Sequence, residues 1–185
     1  MTGLAGWRVW ITGLPGSGKS AVAHALLGQL ELQDIHAQLV SIDMLRSIVT
    51  PEPTYSVEER KIVYACVVYV SKLLAQNGVN VIIDATANRR RCRDDARDQI
   101  RPFMEAYVRC PLQLCMEREA KRGNTFMAPR DIYKGAFMGK SKTVPGIGVP
   151  YEQPLNPEVT VNSAKQSPEE CAEKIRKTMA RTLKM

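Results

Sequence analysis

The sequence has no run of about 18 or more apolar residues, the length that a membrane-spanning helix needs. Arg8 stands near its start, but the long apolar stretch and the small-residue cleavage site that are typical of a signal peptide are missing. We therefore expect a protein with neither a membrane anchor nor a secretory leader.

Cysteines in metal-binding spacing are also missing. The number of cysteines is odd, and no two of them stand in a CxxC pattern. The five positions are Cys66, Cys92, Cys110, Cys115 and Cys171. A zinc site and a disulfide framework are therefore disfavoured, and we expect a reducing cytoplasm as the location.

Acidic residues are outnumbered, and the net charge over 185 residues is +7. Such a balance favours polyanionic ligands, either nucleotides or nucleic acid. Part of the positive charge is a cluster formed by Arg89, Arg90, Arg91, Arg93, Arg97 and Arg101. Aspartates are interleaved with these arginines, so a solvated helix face explains the cluster about as well as a ligand does.

Short apolar runs alternate with segments of helical spacing along the chain. The predicted strands are Trp7–Thr12, Ala37–Ile42, Val79–Asp84, Phe103–Val108 and Glu158–Val161. Helical spacing predicts a first helix over Lys19–Glu31, and Ser56 with Glu59 three residues later predicts a capping box at the start of a helix that runs to about Gln76. The apolar face of that second helix, which includes Tyr64, is expected to pack in the core, with a subunit interface as the alternative. Alternation of this kind predicts an α/β fold, with a parallel sheet of about five strands and helices on both faces, in one domain over 1–185. The stretch 122–157 is rich in Gly and Pro and too long for an ordinary connection, so we interpret it as a lid.

A glycine-rich motif, Gly-x-x-x-x-Gly-Lys-Ser, follows the first predicted strand and opens the first predicted helix. In this context the motif is a P-loop, whose backbone N–H groups surround the phosphates of ATP. The predicted ATP contacts are Gly13, Leu14, Pro15, Gly16, Ser17, Gly18, Lys19, Ser20 and Ala21. Lys19 is expected to reach the β- and γ-phosphates as a catalytic residue, and Ser20 to bind Mg²⁺.

Two carboxylates stand at the ends of predicted strands, where open α/β sheets bind their ligands. Asp43 stands at the end of the second strand and Asp84 at the end of the third. We assign Asp43 as the catalytic base that orients an acceptor hydroxyl, and Asp84 as the acid that binds Mg²⁺ together with Ser20. The two roles are exchangeable on this reasoning, and an N-cap is the alternative for Asp43.

Several segments together resemble the adenylyl-sulfate kinases, which phosphorylate the 3′-hydroxyl of adenosine 5′-phosphosulfate with ATP. The likeness extends from Gly13 to the final helix. It rests on the P-loop form, on Asp43-Met-Leu-Arg46, on Tyr55-Ser56 with Glu59-Arg60, on Tyr107 to Leu112, and on Ile132-Tyr133-Lys134 through Pro145-Gly146-Ile147 to Pro150-Tyr151-Glu152-Gln153-Pro154. The P-loop alone is common to many enzymes, whereas its combination with Pro-Tyr-Glu-x-Pro is specific.

The resemblance implies roles for the matched positions. Asp43 and Arg46 would face the acceptor nucleotide, Arg60 would contact its phosphosulfate, and Tyr55 would stack on its adenine. Lys134 would contact the transferred phosphate as a further catalytic residue. Ile147 would belong to the acceptor site, and Arg118 would lie near the ATP base and phosphates. The family also implies a homodimer that binds ATP and adenosine 5′-phosphosulfate, with no membrane or nucleic-acid partner.

Some positions depart from the family pattern. The segment 84–89, Asp-Ala-Thr-Ala-Asn-Arg, replaces the family's Ile-Ser-Pro-Tyr loop, and Val63 stands where the family has Asn. Two further hypotheses therefore stay open. One is a related kinase that acts on another hydroxyl, such as a polynucleotide end, and the other is a non-catalytic nucleotide-binding module.

Overall fold

A computed structural model describes residues 5–183 of the chain, so the outermost ends of the predicted domain 1–185 lie outside the described residues. Five strands form one sheet in the order β2-β3-β1-β4-β5, and every neighbouring pair is parallel. Their bounds are β1 Arg8–Thr12, β2 Ala37–Ser41, β3 Asn80–Asp84, β4 Phe103–Arg109 and β5 Val159–Asn162. The predicted α/β fold with a five-stranded parallel sheet is confirmed.

Within residues 5–183, seven helices connect or flank these strands. Their bounds are α1 Lys19–Glu31, α2 Ile42–Val49, α3 Val57–Gln76, α4 Arg90–Gln99, α5 Leu112–Lys121, α6 Ile132–Phe137 and α7 Pro168–Thr182. Helix α6 lies inside the segment that the sequence presented as irregular. It spans only 6 residues, too few to show a clear helical periodicity.

The central strand β1 contributes side chains to the cores on both faces of the sheet. Val9 and Ile11 pack with α1 and α7 in one buried cluster, and Trp10 packs with α3 and α4 in the other. The Trp10 indole is fully buried and donates a 2.9 Å hydrogen bond to the Ala85 carbonyl just beyond β3. This bond fixes the start of the loop after β3, where the sequence departs from the family pattern.

The start of α2 differs from the prediction. Ile42 and Asp43 were expected at the end of the second strand, yet both lie in the first turn of α2. Ser41 is the N-cap, because its hydroxyl accepts a 3.4 Å hydrogen bond from the Met44 amide. The alternative of Asp43 as the N-cap is thus wrong, and the Asp43 carboxylate is not used to cap the helix.

The predicted capping box at the start of α3 is only half formed. The Ser56 hydroxyl accepts a 3.1 Å hydrogen bond from the Glu59 amide, as expected. The Glu59 carboxylate, however, accepts hydrogen bonds from the Thr54 and Tyr55 amides rather than from the Ser56 amide. The side chain therefore fixes the loop that precedes the helix.

The arginine cluster is divided by burial. Arg91 and Arg101 are exposed, while Arg93 is only 1% exposed and donates a 2.6 Å hydrogen bond to Glu105 on β4. Arg97 pairs with Glu158 just before β5. The inward-facing members thus join α4 to the sheet, and they are not part of a continuous basic surface.

Breaking the Arg93–Glu105 pair should destabilise the fold, because a buried guanidinium would lose its counter-ion. We expect Glu105→Gln to lower the free energy of unfolding by about 3 kcal/mol, measured by urea denaturation. The matched control is Asp95→Asn, which removes the exposed Arg91–Asp95 pair and should change it by less than about 0.5 kcal/mol. Equal effects of the two substitutions would contradict this account.

Candidate functional site

The turn between β1 and α1 is shaped by glycines that other residues could not replace. Gly16 has a φ of 75°, and a Cβ on it would lie 2.3 Å from the Cys115 carbonyl oxygen. Gly18 has a φ of 91° and stands at the N-cap of α1. Both conformations are left-handed, which only glycine adopts at low cost. The backbone can therefore curl closely against α5.

The N-terminus of α1 carries the features of an anion site. Among the described residues no side chain caps it, and its first turn contains no acidic residue. The free N–H groups and the helix dipole therefore present positive potential to the space in front of Gly18. This arrangement suits the phosphates of a nucleotide.

Lys19 lies at the start of α1 with only 8% of its surface exposed, and its ammonium donates a 3.0 Å hydrogen bond to the Leu14 carbonyl. Burial lowers the pKa of Lys19, and the carboxylates of Asp84 and Asp43 act in the opposite direction. The ammonium is thus preorganised inside the turn and held near two negative charges.

Lys19, Asp84 and Asp43 follow the ends of β1, β3 and β2, and the parallel sheet brings these three strand ends to one edge. Asp84 ends β3 and is 5% exposed, while Asp43 lies in the first turn of α2, directly after β2. Burial raises the pKa of Asp43, and the neighbouring Asp84 carboxylate adds to the rise, while Lys19 and Arg46 oppose it. A carboxyl with a raised pKa beside a lysine is a common arrangement in active sites.

One cavity of about 390 Å³ unites these groups with a second set of polar side chains. Its lining includes the predicted donor residues Pro15, Gly16, Gly18, Lys19, Ser20, Ala21 and Arg118, and the predicted acceptor residues Asp43, Arg46, Tyr55 and Arg60, together with Asp84. A cavity of this size with convergent charged groups is typical of a small-molecule site.

Five predicted site residues lie outside the cavity lining. Leu14 and Ile147 pack in a small apolar cluster beneath α6, Gly13 meets the end of β4, and Lys134 is exposed on α6, outside the cavity lining. The buried Ser17 has a hydroxyl without a hydrogen-bond partner within residues 5–183. Its contribution to the site is therefore through the backbone of the turn.

The aromatic ring of Tyr55 lies close to two arginines, one on α2 and one on α3. The Arg46 guanidinium carbon is 4.7 Å from the ring centroid and that of Arg60 is 5.9 Å away. Arg60 also donates a 2.9 Å hydrogen bond to the Thr143 carbonyl, which joins α3 to the segment after α6. Two guanidinium groups beside one ring make this half of the cavity suited to an anion attached to a planar base.

Further lining residues had no sequence motif that could identify them. Tyr64 accepts a 2.8 Å hydrogen bond from the Ala87 amide, and Thr86 accepts a 2.6 Å hydrogen bond from the Thr12 hydroxyl through its carbonyl. Phe126 stacks on His24 of α1 at a centroid distance of 4.9 Å. Tyr64 resembled a core residue by its helical spacing, and the rest depend on tertiary contacts.

The segment after α6 is held closely against the sheet. The Tyr151 hydroxyl lies 2.9 Å from the Thr12 hydroxyl, and the Tyr151 ring stacks on Tyr107. Glu152 accepts a 2.8 Å hydrogen bond from the Arg90 amide. On α6 itself, the Tyr133 hydroxyl donates a 2.8 Å hydrogen bond to the Pro15 carbonyl. The Pro-Tyr-Glu segment is therefore an anchor, and α6 contacts the phosphate-binding turn directly.

The described residues contain no cluster of three or more His, Cys, Asp or Glu side chains that could hold a metal. The Ser20 hydroxyl and the Asp84 carboxylate nevertheless provide hard oxygen ligands in the same cavity. Mg²⁺ typically takes one or two protein carboxylates and fills its remaining positions with phosphate and water. The residues present therefore fit a magnesium ion that binds with its nucleotide.

None of the helices within residues 5–183 has the length and apolar character that spanning a membrane requires.

Comparisons with known proteins agree with this geometry. Residues 5–162 match the family model described as adenylylsulphate kinase. An adenylyl-sulfate kinase of Rippkaea orientalis is 35% identical over 170 residues, which cover 92% of this chain and 89% of the relative. A probable adenylyl-sulfate kinase of Pyrococcus abyssi is 33% identical over 170 residues, covering 92% of each.

A solved structure gives the same result. The APS kinase of Mycobacterium tuberculosis, in complex with AMPPNP and APS, is similar to this chain with a TM-score of 0.83 and 30% sequence identity. The match covers 95% of this chain and 98% of that chain. The likeness therefore extends over nearly the whole length of both chains.

A methyl group at Gly16 should deform the phosphate-binding turn. We expect Gly16→Ala to weaken binding of Mg-ATP at least about tenfold, measured by titration calorimetry, because the backbone must move away from Cys115. The matched control is Gly28→Ala on α1, where a new Cβ meets no described atom within 4 Å. The control should bind Mg-ATP as the wild type does. A folded Gly16→Ala protein with unchanged affinity would contradict the assignment of this turn.

Proposed function

Because the chain belongs to the adenylyl-sulfate kinase family, we propose that it transfers the γ-phosphoryl group of ATP to the 3′-hydroxyl of adenosine 5′-phosphosulfate. The product is 3′-phosphoadenosine 5′-phosphosulfate, which places the reaction in sulfate assimilation. The observation that carries the proposal is the convergence of the phosphate-binding turn, two strand-end carboxylates and an arginine-tyrosine group in one cavity.

The donor half of the site acts by positioning and by charge. The N–H groups of the turn and the first turn of α1 bind the β- and γ-phosphates, and Lys19 stabilises the charge that develops on the transferred group. Arg118 lines the same cavity and already donates a 2.8 Å hydrogen bond to the Ser163 carbonyl. It therefore has a fixed position from which to contact the ATP phosphates or base.

The acceptor half orients the nucleophile. Asp43 accepts a hydrogen bond from the 3′-hydroxyl and directs its oxygen in line with the γ-phosphorus. Arg46 and Arg60 bind the phosphosulfate, and the Tyr55 ring contacts the adenine. This assignment is supported by the way these side chains share one wall of the cavity.

Ser20 and Asp84 would hold Mg²⁺, which when bound supplies positive charge against the phosphate oxygens. The positions of the two carboxylates in the sheet support this division of roles. Asp84 is the carboxylate at the strand end beside β1, whereas Asp43 lies one strand further from the turn.

The segment 122–157 acts as the lid of this site and limits the access of water to the phosphates. Its α6 end already contacts the turn through Tyr133, and its Thr143 carbonyl is bound by Arg60. Lys134 and Ile147 stay predicted site residues. Lys134 would need a shift of α6 to reach the transferred phosphate, because it now faces solvent.

A polynucleotide end is the second candidate acceptor, and the buried arginines disfavour it. A nucleic acid backbone needs free cations along its path, yet Arg93 and Arg97 are engaged with Glu105 and Glu158. The third candidate is a non-catalytic nucleotide-binding module. It does not explain why two carboxylates converge with Lys19 in one cavity, where burial raises the pKa of Asp43.

We also propose a homodimer formed through α3. Ile62, Tyr69 and Leu73 lie on one face of this helix and are 54%, 62% and 42% exposed. Antiparallel pairing of two copies about Ala65 would place Glu58 of one copy near Lys72 of the other, which gives charge complementarity. Sedimentation of the purified protein at micromolar concentration tests this, since a single monomeric species would exclude it.

The expected location stays a reducing cytoplasm. The five cysteines are all free, which is in keeping with such a compartment.

The proposed reaction is tested by coupled measurement of ADP release. We expect adenosine 5′-phosphosulfate to stimulate ATP consumption, while an oligonucleotide with a free 5′-hydroxyl leaves it at the background rate. Asp43→Asn should reduce kcat by about 100-fold to 10,000-fold and leave the affinity for ATP nearly unchanged, because only the acceptor hydroxyl loses its partner.

The control variant is Asp95→Asn, on the exposed face of α4, which should retain full activity. Stimulation by the oligonucleotide alone would establish the second candidate instead. Full activity of Asp43→Asn would remove Asp43 from the mechanism.

A further inference from the structure

Glu59 is a buried carboxylate beside the cavity that has no part in the proposed reaction. It lies in the first turn of α3 and is only 8% exposed, yet it is not among the residues that line the cavity. Any influence on a bound nucleotide must therefore pass through other side chains.

Both carboxylate oxygens of Glu59 are engaged with residues outside its own helix. One oxygen accepts hydrogen bonds from the Thr54 hydroxyl at 2.7 Å and from the Tyr55 amide at 2.8 Å, in addition to the Thr54 amide. The other forms a buried ion pair with the Arg46 guanidinium on α2. These bonds hold the pKa of Glu59 below its usual range although burial alone would raise it.

The bonds fix a backbone conformation that the sequence does not otherwise favour. Tyr55 has a φ of 56°, in the left-handed region that a bulky aromatic residue rarely adopts. The Glu59 carboxylate holds the amide of this residue, while the Arg60 Nε donates a 3.1 Å hydrogen bond to its carbonyl. The ring is thereby turned into the cavity, where Arg46 covers it at 4.7 Å.

An ordinary capping box would have satisfied the N-terminus of α3 without the bonds from Glu59 to Arg46 and to the preceding loop. In such a box the carboxylate accepts from the amide of the capping residue, here Ser56. That amide instead has a 3.3 Å hydrogen bond to the Thr54 hydroxyl, which leaves Glu59 free for Arg46 and the loop. The Glu59 side chain thus binds both Arg46 on α2 and the loop that contains Tyr55.

We propose that Glu59 is a positioning residue for the acceptor, which holds Arg46 and Tyr55 in their binding geometry before the nucleotide arrives. The proposal rests on the proposed function, because it assigns these two residues to the acceptor. A wall that is already ordered loses less conformational freedom on binding, so the benefit falls on acceptor affinity. The donor half is linked to α1 and does not depend on Glu59.

The test is a comparison of steady-state constants for both substrates. Glu59→Gln keeps the size and one acceptor oxygen but removes the charge that Arg46 needs. We expect its KM for adenosine 5′-phosphosulfate to rise about 10-fold to 100-fold, with the KM for ATP changed less than about twofold. Glu59→Asp restores the charge on a shorter side chain and should recover part of the loss. The matched control Glu52→Gln removes an exposed carboxylate from the loop before α3 and should behave as the wild type.

A double substitution separates positioning from general destabilisation. If Glu59 acts through Arg46, then adding Glu59→Gln to an Arg46→Gln protein should raise the acceptor KM less than it does in the wild type. Equal increases in both KM values, a loss of kcat alone, or fully additive effects in the double variant would overturn the proposal.

A crystal structure of Glu59→Gln gives an outcome that does not depend on turnover. We expect the Arg46 guanidinium to leave the Tyr55 ring and the loop 50–56 to rearrange. Unchanged positions of both side chains would overturn the inference even if the enzyme is active. A wild-type protein that does not phosphorylate adenosine 5′-phosphosulfate would instead overturn the proposed function, and the structural comparison would still decide the role of Glu59.

Discussion

The close approach of the glycine turn to its surroundings is the constraint on which the rest of the structure depends. Gly16 can lie against the Cys115 carbonyl only because it has no side chain, and Gly13 likewise meets the end of β4. This contact sets the direction in which α1 leaves the sheet. The position of Lys19, and of every N–H group in the first turn of α1, follows from it.

The parallel sheet then determines where the charged side chains of the site lie. All five strands run in one direction, so the ends of β1, β2 and β3 meet at one edge and bring Lys19, Asp43 and Asp84 together. Charges of opposite sign are thereby brought into one cavity, where their attraction offsets part of the cost of desolvating them. On the acceptor side of the cavity, the buried carboxylate of Glu59 instead binds and orders the loop that precedes α3.

The fold and the glycine turn could be predicted from local pattern alone. Five apolar strands alternate with helices, and the glycine motif stands between the first strand and helix, so α1 was placed at its observed bounds Lys19–Glu31. Asp43 was misplaced because a serine cap two residues earlier began α2 before the apolar run ended. Glu59 was read as one half of a capping box, since sequence spacing does not reveal which of several nearby amides a carboxylate binds. Contacts such as Tyr64 with Ala87 join residues 23 positions apart and leave no local signal.

Titration calorimetry with the ATP analogue AMPPNP and Mg²⁺ tests the central claim most directly. The account predicts saturable binding to the wild type and an affinity at least about tenfold lower for Lys19→Ala, because the ammonium held within the turn is the main side-chain charge offered to the triphosphate. The absence of any binding heat with the wild type, together with an unchanged titration for Lys19→Ala, would contradict it.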